Sequence, residues 1–232
     1  VIRLVVALAA YNEAEYLRET IPAILNQSMA DFRLVAIDNG STDETSEILH
    51  SFDDPRMIVD ANPENLIGGK ATNFGLRIAR QYADNAQWVL FHGADDLMLP
   101  GYLEAVMCAA DEHPEVNCIF SPFHWMGQPE RGVQIFPPYD PPTIARVYQI
   151  PAWKAITWDL WDAIGEDESV GHGADWDWAV RASVRGLLRP YQLEQPYLSL
   201  RVRPPGRVTS SLLADMPALR KHMQRHLQAA VA

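Results

Sequence analysis

The chain predicts an α/β domain built on an open, mostly parallel sheet. Through the first hundred residues, short apolar runs alternate with amphipathic stretches of helical length. The apolar runs are continuous rather than alternating, and turn-forming residues cluster directly after them. Strands covered on both faces read as unbroken apolar runs, and parallel neighbours need a crossover of about a dozen residues, usually a helix. At 232 residues the chain can bury one sizeable core, so a single domain is expected over 1–232.

The elements follow in order. IRLVVALA (Ile2 to Ala9) reads as a buried strand, and EAEYLRETIPAILNQ (Glu13 to Gln27) as a helix that Pro22 should kink. FRLVAID (Phe32 to Asp38) is a second strand, DETSEILHSF a short helix and RMIVDA a short strand. KATNFGLRIARQYA is a helix, WVLFH a strand and GYLEAVMCAADEH another helix. Beyond about residue 115, NCIFSPFHW is a strand and GQPERGVQIFPPYDPPT an irregular proline-rich loop. The stretches PAWKAITWDLWDAIG and GADWDWAVRASVRG read as helices and YLSLRVR as a strand. LLADMPALRKHMQRHLQAAVA closes the chain as a basic amphipathic helix, over 211–232, which allows packing on the domain, homodimerisation or peripheral contact with an anionic membrane.

Composition excludes several function classes. A net charge of −11 argues against a nucleic-acid-binding surface, which needs clustered Lys and Arg. No run has the roughly 18 to 20 apolar residues of a membrane span, and the N-terminal run lacks the features of a signal peptide. Cys108 and Cys118 fit neither a CxxC metal pattern nor a disulfide framework, so buried thiols in the cytoplasm are expected. The chain begins without Met, which leaves a longer parent protein as an expectation. IGGKAT is not a phosphate loop, because Glu64 and Ala71 stand where Gly and Ser or Thr would be required. GxGxxG after the first strand, GxSxG and HExxH are all missing. His222 and His226 have a metal-capable spacing but no third ligand in the sequence pattern, and read as part of a solvated basic face.

In an open α/β sheet, ligands bind beyond the carboxyl ends of the strands. There the chain places AYNE, DNGSTDE and HGADD. The adjacent Asp95 and Asp96 repel each other, and a turn alone needs only one Asp or Asn. Either they cap the following helix, or they hold a multivalent cation. Asp38 can start a turn or accept a hydrogen bond from a base, and Tyr11 offers a ring face for stacking.

Five segments together resemble the inverting family 2 glycosyltransferases with the nucleotide-binding GT-A fold. They are VVALAAYNEAEYLRETIPAILNQS, FRLVAIDNGSTDET, NLIGGKATNFGLRIA, WVLFHGADDLMLPGYLE and GHGADWDWAVRASVRG, in the family's order. The resemblance implies a Rossmann-like, mostly parallel sheet flanked by helices, with a nucleotide-binding half over 1–100 and an acceptor-side half carrying the catalytic base over 101–210. It implies nucleotide contacts at Ala9, Tyr11, Glu13, Asp38, Asn65, Gly69, Lys70, Asn73, Ala94 and Asp95. Asp95 matches the usual ligand of a divalent cation, Mn²⁺ or Mg²⁺, and Asp96 the position after it. The first aspartate of that motif is replaced by Gly93. Asp175 matches the catalytic base, with Ala174 replacing the usual Glu beside it. Arg203 stands near the place of a histidine that often neighbours the metal; it or Arg207 would contact the diphosphate, though arginine cannot ligate the cation. Trp125, His172 and Trp176 are the expected acceptor contacts, with Trp153, Trp158 and His124 as further aromatic candidates.

The implied reaction moves a sugar from a nucleotide-diphosphate sugar, a UDP-sugar in first place, to an acceptor hydroxyl of a glycan or other molecule. Asp175 would take the acceptor's proton. Two other readings compete: a nucleotide- or sugar-binding domain that has lost catalysis, suggested by Gly93 and Ala174, and a nucleotidyltransferase, disfavoured by the lack of an N-terminal Gly-rich phosphate loop.

Overall fold

The computed structural model describes residues 1–171, 173–202 and 219–226. Expectations for His172, Arg203 and Arg207, and for the rest of the last helix, fall outside them. In chain order the elements are β1 (Leu4–Ala10), α1 (Ala14–Leu25), β2 (Phe32–Asn39), α2 (Thr45–His50), β3 (Met57–Asn62) and α3 (Gly69–Gln81). They continue with β4 (Trp88–Gly93), β5 (Leu97–Met98), α4 (Tyr102–Glu112), β6 (Cys118–Phe120), β7 (Phe123–Met126) and β8 (Val133–Gln134). The last are β9 (Lys154–Thr157), α5 (Trp158–Ile164), α6 (Ala174–Val184), β10 (Pro190–Gln192) and β11 (Leu198–Arg201).

A seven-stranded sheet in the order β10-β6-β9-β4-β1-β2-β3 forms the centre, and a four-stranded sheet, β5-β11-β7-β8, stands beside it. β3, β2, β1 and β4 run parallel, so their carboxyl ends share one edge. Val5, Val6, Leu8, Leu34, Val35 and Val89 are completely buried, as continuous apolar strands between helices should be.

Two segments depart from expectation. The strand expected over 117–125 is split at Ser121-Pro122: β6 joins the large sheet and β7 the small one. Pro122 has no N–H for a ladder, and the Ser121 hydroxyl instead accepts from Tyr197 N at 2.7 Å and donates to Gln195 O at 3.2 Å. The helix expected over 151–165 begins only at Trp158. Lys154–Thr157 forms β9, antiparallel to both β4 and β6, which makes the central sheet mixed. Ala155 and Ile156 are fully buried there, so sheet completion outweighs local helical spacing. The Thr157 hydroxyl then accepts from Leu160 N at 3.3 Å and caps α5.

Cys118 is buried, which pushes its thiol up to about 12, whereas Cys108 on α4 is exposed, contrary to expectation. Residues 219–226 are helical, and Leu219 and Met223 are buried in the domain core. Of the three roles open to this amphipathic segment, packing on the domain is the one these residues take. Among the described residues no helix is long and apolar enough to cross a membrane.

Candidate active site

The loops after β1 and β2 are tied together by short polar side chains. Asn12 adopts φ +54°, a conformation Asn tolerates better than most residues. Its side-chain oxygen accepts from Thr42 N at 2.8 Å, and its own N–H donates to Ser41 Oγ at 3.0 Å. Glu13 N donates to Thr45 Oγ1 at 2.8 Å, and Asp38 Oδ1 accepts from Ser41 N at 2.9 Å. Asp38 is thereby the first residue of the turn, buried to 7% exposure, while Tyr11 beside it is 39% exposed. Ala9 is exposed on the same edge. Asn12, Ser41, Thr42 and Thr45 were not singled out from sequence; the signal was the concentration of short polar side chains in YNE and STDET.

Asp95 and Asp96 divide the work that their adjacency suggested. Asp96 is 3% exposed: its Oδ1 accepts from Arg201 N at 2.9 Å, and its backbone oxygen accepts from Thr20 Oγ1 at 3.1 Å. Asp95 is partly exposed at the strand end, and its backbone oxygen takes Arg201 Nε at 3.1 Å. Arg201 also donates to Glu19 Oε2 at 2.9 Å and lies over the Tyr16 ring at 4.4 Å. Arg201, absent from the sequence-based candidates, locks β11 and α1 around the aspartates. Behind the pair, burial lowers the His92 pKa to about 4 despite the attraction of Asp95, so this imidazole is neutral near pH 7. Ala94 is buried between them.

Gly93 has a steric explanation. A Cβ there would stand 2.6 Å from Asp96 Oδ2, 3.2 Å from Asp95 Oδ1 and 3.2 Å from Trp153 Nε1. Restoring the family's missing acid by Gly93→Asp is expected to destabilise the domain by about 1–3 kcal/mol through overpacking, without tightening cation binding. Thermal unfolding with and without Mn²⁺ checks both parts.

The second acidic centre lies at the start of α6. Gly173, at φ +78°, turns the chain into the helix, which places Asp175 in its first turn. Asp175 is partly exposed and accepts a short hydrogen bond on Oδ2 from the Tyr148 hydroxyl. Burial, with the Asp175 charge and that hydrogen bond, holds the Tyr148 phenol well above its ordinary pKa, so it stays a donor. Glu166 neighbours Asp175 as well. Burial lifts its pKa to about 7, Lys154 opposes the rise and Asp175 adds to it. Lys154, 2% exposed, lies over the rings of Trp178 at 4.8 Å and Phe91 at 5.4 Å and donates to Pro151 O at 3.2 Å. The segment from Tyr148 to Trp153 thus links the two centres: Tyr148 touches Asp175, and Trp153 reaches the space beside Gly93 and Asp95.

The remaining candidates divide. Trp176, expected from sequence as an acceptor contact, is 5% exposed and donates Nε1 to Ile144 O at 2.6 Å, securing the loop over Asp175. Trp158 is likewise core. Trp125 is partly exposed, covered on one face by Arg131 at 3.8 Å, and lines a 390 Å³ hollow with His124. Asn65 is exposed and accepts from Asn39 Nδ2 at 3.0 Å; Lys70 is exposed. Asn73 donates to Glu166 O at 2.9 Å and accepts from Glu166 N at 3.0 Å. Gly69 N donates to Val170 O at 3.2 Å, and a Cβ on Gly69 would lie 2.4 Å from Asp167 O. The start of α3 therefore supports the 166–171 segment that leads into Asp175.

Residues 5–166 match the model of glycosyl transferase family 2. The chain belongs to that family. This family 2 domain is 32% identical over 120 residues to an uncharacterized glycosyltransferase of Methanocaldococcus jannaschii, covering 50% of this chain and 40% of that protein. It therefore spans less than half of that relative's length. Residues 1–349 of S. aureus TarS, in complex with UDP, superpose with a TM-score of 0.74 at 21% identity, covering 96% of this chain and 65% of that one. Glucosyl-3-phosphoglycerate synthase of Mycobacterium tuberculosis, with Mn²⁺, UDP and glucosyl-3-phosphoglycerate, superposes with a TM-score of 0.64 at 17% identity, covering 99% and 80%. At these identities the likenesses establish the GT-A fold of the family 2 domain.

Proposed function

We propose that the domain is an inverting glycosyltransferase that moves a sugar from a nucleotide diphosphate, with UDP as the expected carrier, to a hydroxyl of a glycan or another acceptor. The observation that carries this reading is the pair of acidic centres, Asp95 after β4 and Asp175 at the head of α6, linked through the Tyr148–Trp153 segment. The base of the donor would stack on exposed Tyr11 and meet the turn that Asp38 begins. UDP in the TarS and synthase structures supports a uridine carrier.

Asp175 is the general base. Tyr148 leaves one carboxylate oxygen as the proton acceptor by occupying the other, which orients the group toward an incoming hydroxyl. Attack at the anomeric carbon on the face opposite the diphosphate inverts its configuration. A partly exposed carboxylate at a strand end fits an oxygen-seeking cation, so Asp95 would hold Mn²⁺ or Mg²⁺, with buried Asp96 fixing the turn. Such a cation supplies charge stabilisation to the departing diphosphate. Arg203 and Arg207 are the proposed arginine contacts to the diphosphate, and Trp125 the proposed acceptor face. Asp175 and its Tyr148 partner give no support to a domain that has lost catalysis.

The test is donor turnover. Wild type should release UDP from UDP-sugars faster with Mn²⁺, and Asp95→Ala should lose that stimulation. Equal stimulation of both proteins would remove Asp95 from the cation site.

A further inference from the structure

The sequence places His222 and His226 four residues apart, and the fold brings a third ligand to them. Both rings project from the helical residues 219–226 toward Asp177 of α6, which is fully buried. Arg181, one turn further along α6, donates Nε to Asp177 Oδ2 at 2.7 Å and its other N–H groups to Ile164 O and Gly165 O at 3.0 and 2.8 Å. With Oδ2 thus engaged, Oδ1 faces the rings. His226 Nε2 lies 3.2 Å and His222 Nε2 3.5 Å from Asp177 Oδ1, and His222 Nε2 lies 3.4 Å from Asp167 Oδ2.

All three atoms, Asp177 Oδ1 and the two Nε2, are buried, yet none has a hydrogen-bond partner among the described residues. Leaving such atoms dry and unpaired is unfavourable. Two cationic rings with centroids 5.1 Å apart would repel each other. An ion between the three satisfies them together. Zinc bonds of about 2.0–2.2 Å at tetrahedral angles separate ligand atoms by about 3.3–3.5 Å, close to the 3.5 and 3.2 Å from Asp177 Oδ1 to the two nitrogens, and all three atoms lie within 4.8 Å of one another.

We propose that Asp177, His222 and His226 bind a divalent transition metal of the zinc type, which fastens the 219–226 helix to α6. Two imidazoles and one carboxylate select zinc over Mg²⁺ or Mn²⁺. Arg181 orients the carboxylate from behind, and Asp167 flanks His222 with further negative charge. The site shares no residue with Asp95 or Asp175 and does not depend on the transferase reading.

The experiment is a Zn²⁺ and Co²⁺ titration of the chelator-stripped full chain, without nucleotide, in competition with a chromogenic chelator. Wild type and Asp95→Ala should each bind one equivalent, with the visible spectrum of tetrahedral cobalt. His222→Ala and His226→Ala, which alter partly exposed side chains and should stay folded by circular dichroism, should bind more than about a hundredfold more weakly, since loss of a direct ligand exceeds the 10–100-fold effect of an outer partner. Zn²⁺ should raise the unfolding midpoint of wild type and not that of His226→Ala. Folded wild type that binds no ion, or affinity unchanged in both histidine variants, would overturn the proposal.

Discussion

Asp175→Asn is expected to leave the domain folded and to lower sugar transfer by about 10²–10⁴-fold, the usual contribution of a positioned general base. Asparagine has the same shape, and its carbonyl oxygen can still accept from Tyr148, so the loop carrying Tyr148 should remain in place. The amide cannot take a proton from the acceptor. The defect should therefore appear in kcat, with little change in the affinity for UDP, which the proposal places at the other centre. Steady-state kinetics beside UDP titration separate the two. A variant with full turnover would remove Asp175 from the chemistry; one that fails to fold would assign it a structural role in α6 instead.

Glu166→Gln is expected to stabilise the domain at pH 8 by up to about 3 kcal/mol and to leave it unchanged near pH 4. The wild-type carboxyl has its pKa raised from 4.5 to about 7, chiefly by burial. Between those values the native state holds a proton that the unfolded chain releases, so stability falls as pH rises through the window. The amide mimics the protonated acid and removes that slope. His92 acts in the opposite sense: its pKa is lowered from 6.5 to about 4, so the unfolded chain binds the extra proton and stability falls on acidification through that range. The contributions oppose each other between about 4.5 and 6.5, which leaves the interval from about 6.5 to 7 as the clearest place to see Glu166 alone. Unfolding midpoints of the two proteins across this range test the assignment; parallel curves would mean that Glu166 ionises normally.

The parallel half of the fold was legible because its signal is local. Continuous apolar strands followed by AYNE, DNGSTDE and HGADD locate both the sheet and its candidate active edge, since each strand end is read from a few neighbouring residues. The departures lie where tertiary context prevails. Lys154–Thr157 sits in a Trp-rich stretch with helical spacing, yet the gap between β4 and β6 takes it as a strand. Trp176 adjoins the candidate base in sequence but turns inward to Ile144 O. Tyr148 and Glu166 come from the irregular stretch and a helix–helix loop, where no periodic pattern points to Asp175. Asp177 likewise meets His222 and His226 only after folding, because they lie far apart along the chain.

The most direct measurement of the central claim is the unfolding midpoint of the full chain with UDP, GDP or dTDP, each with and without Mn²⁺. A ligand at about a hundred times its Kd adds roughly 2.7 kcal/mol, enough for a visible shift in a chain this size. The account predicts a shift with UDP that grows when Mn²⁺ is added. No shift with any of the three nucleotides, with or without Mn²⁺, in protein that is folded, would contradict a nucleotide-sugar site at Tyr11, Asp38 and Asp95.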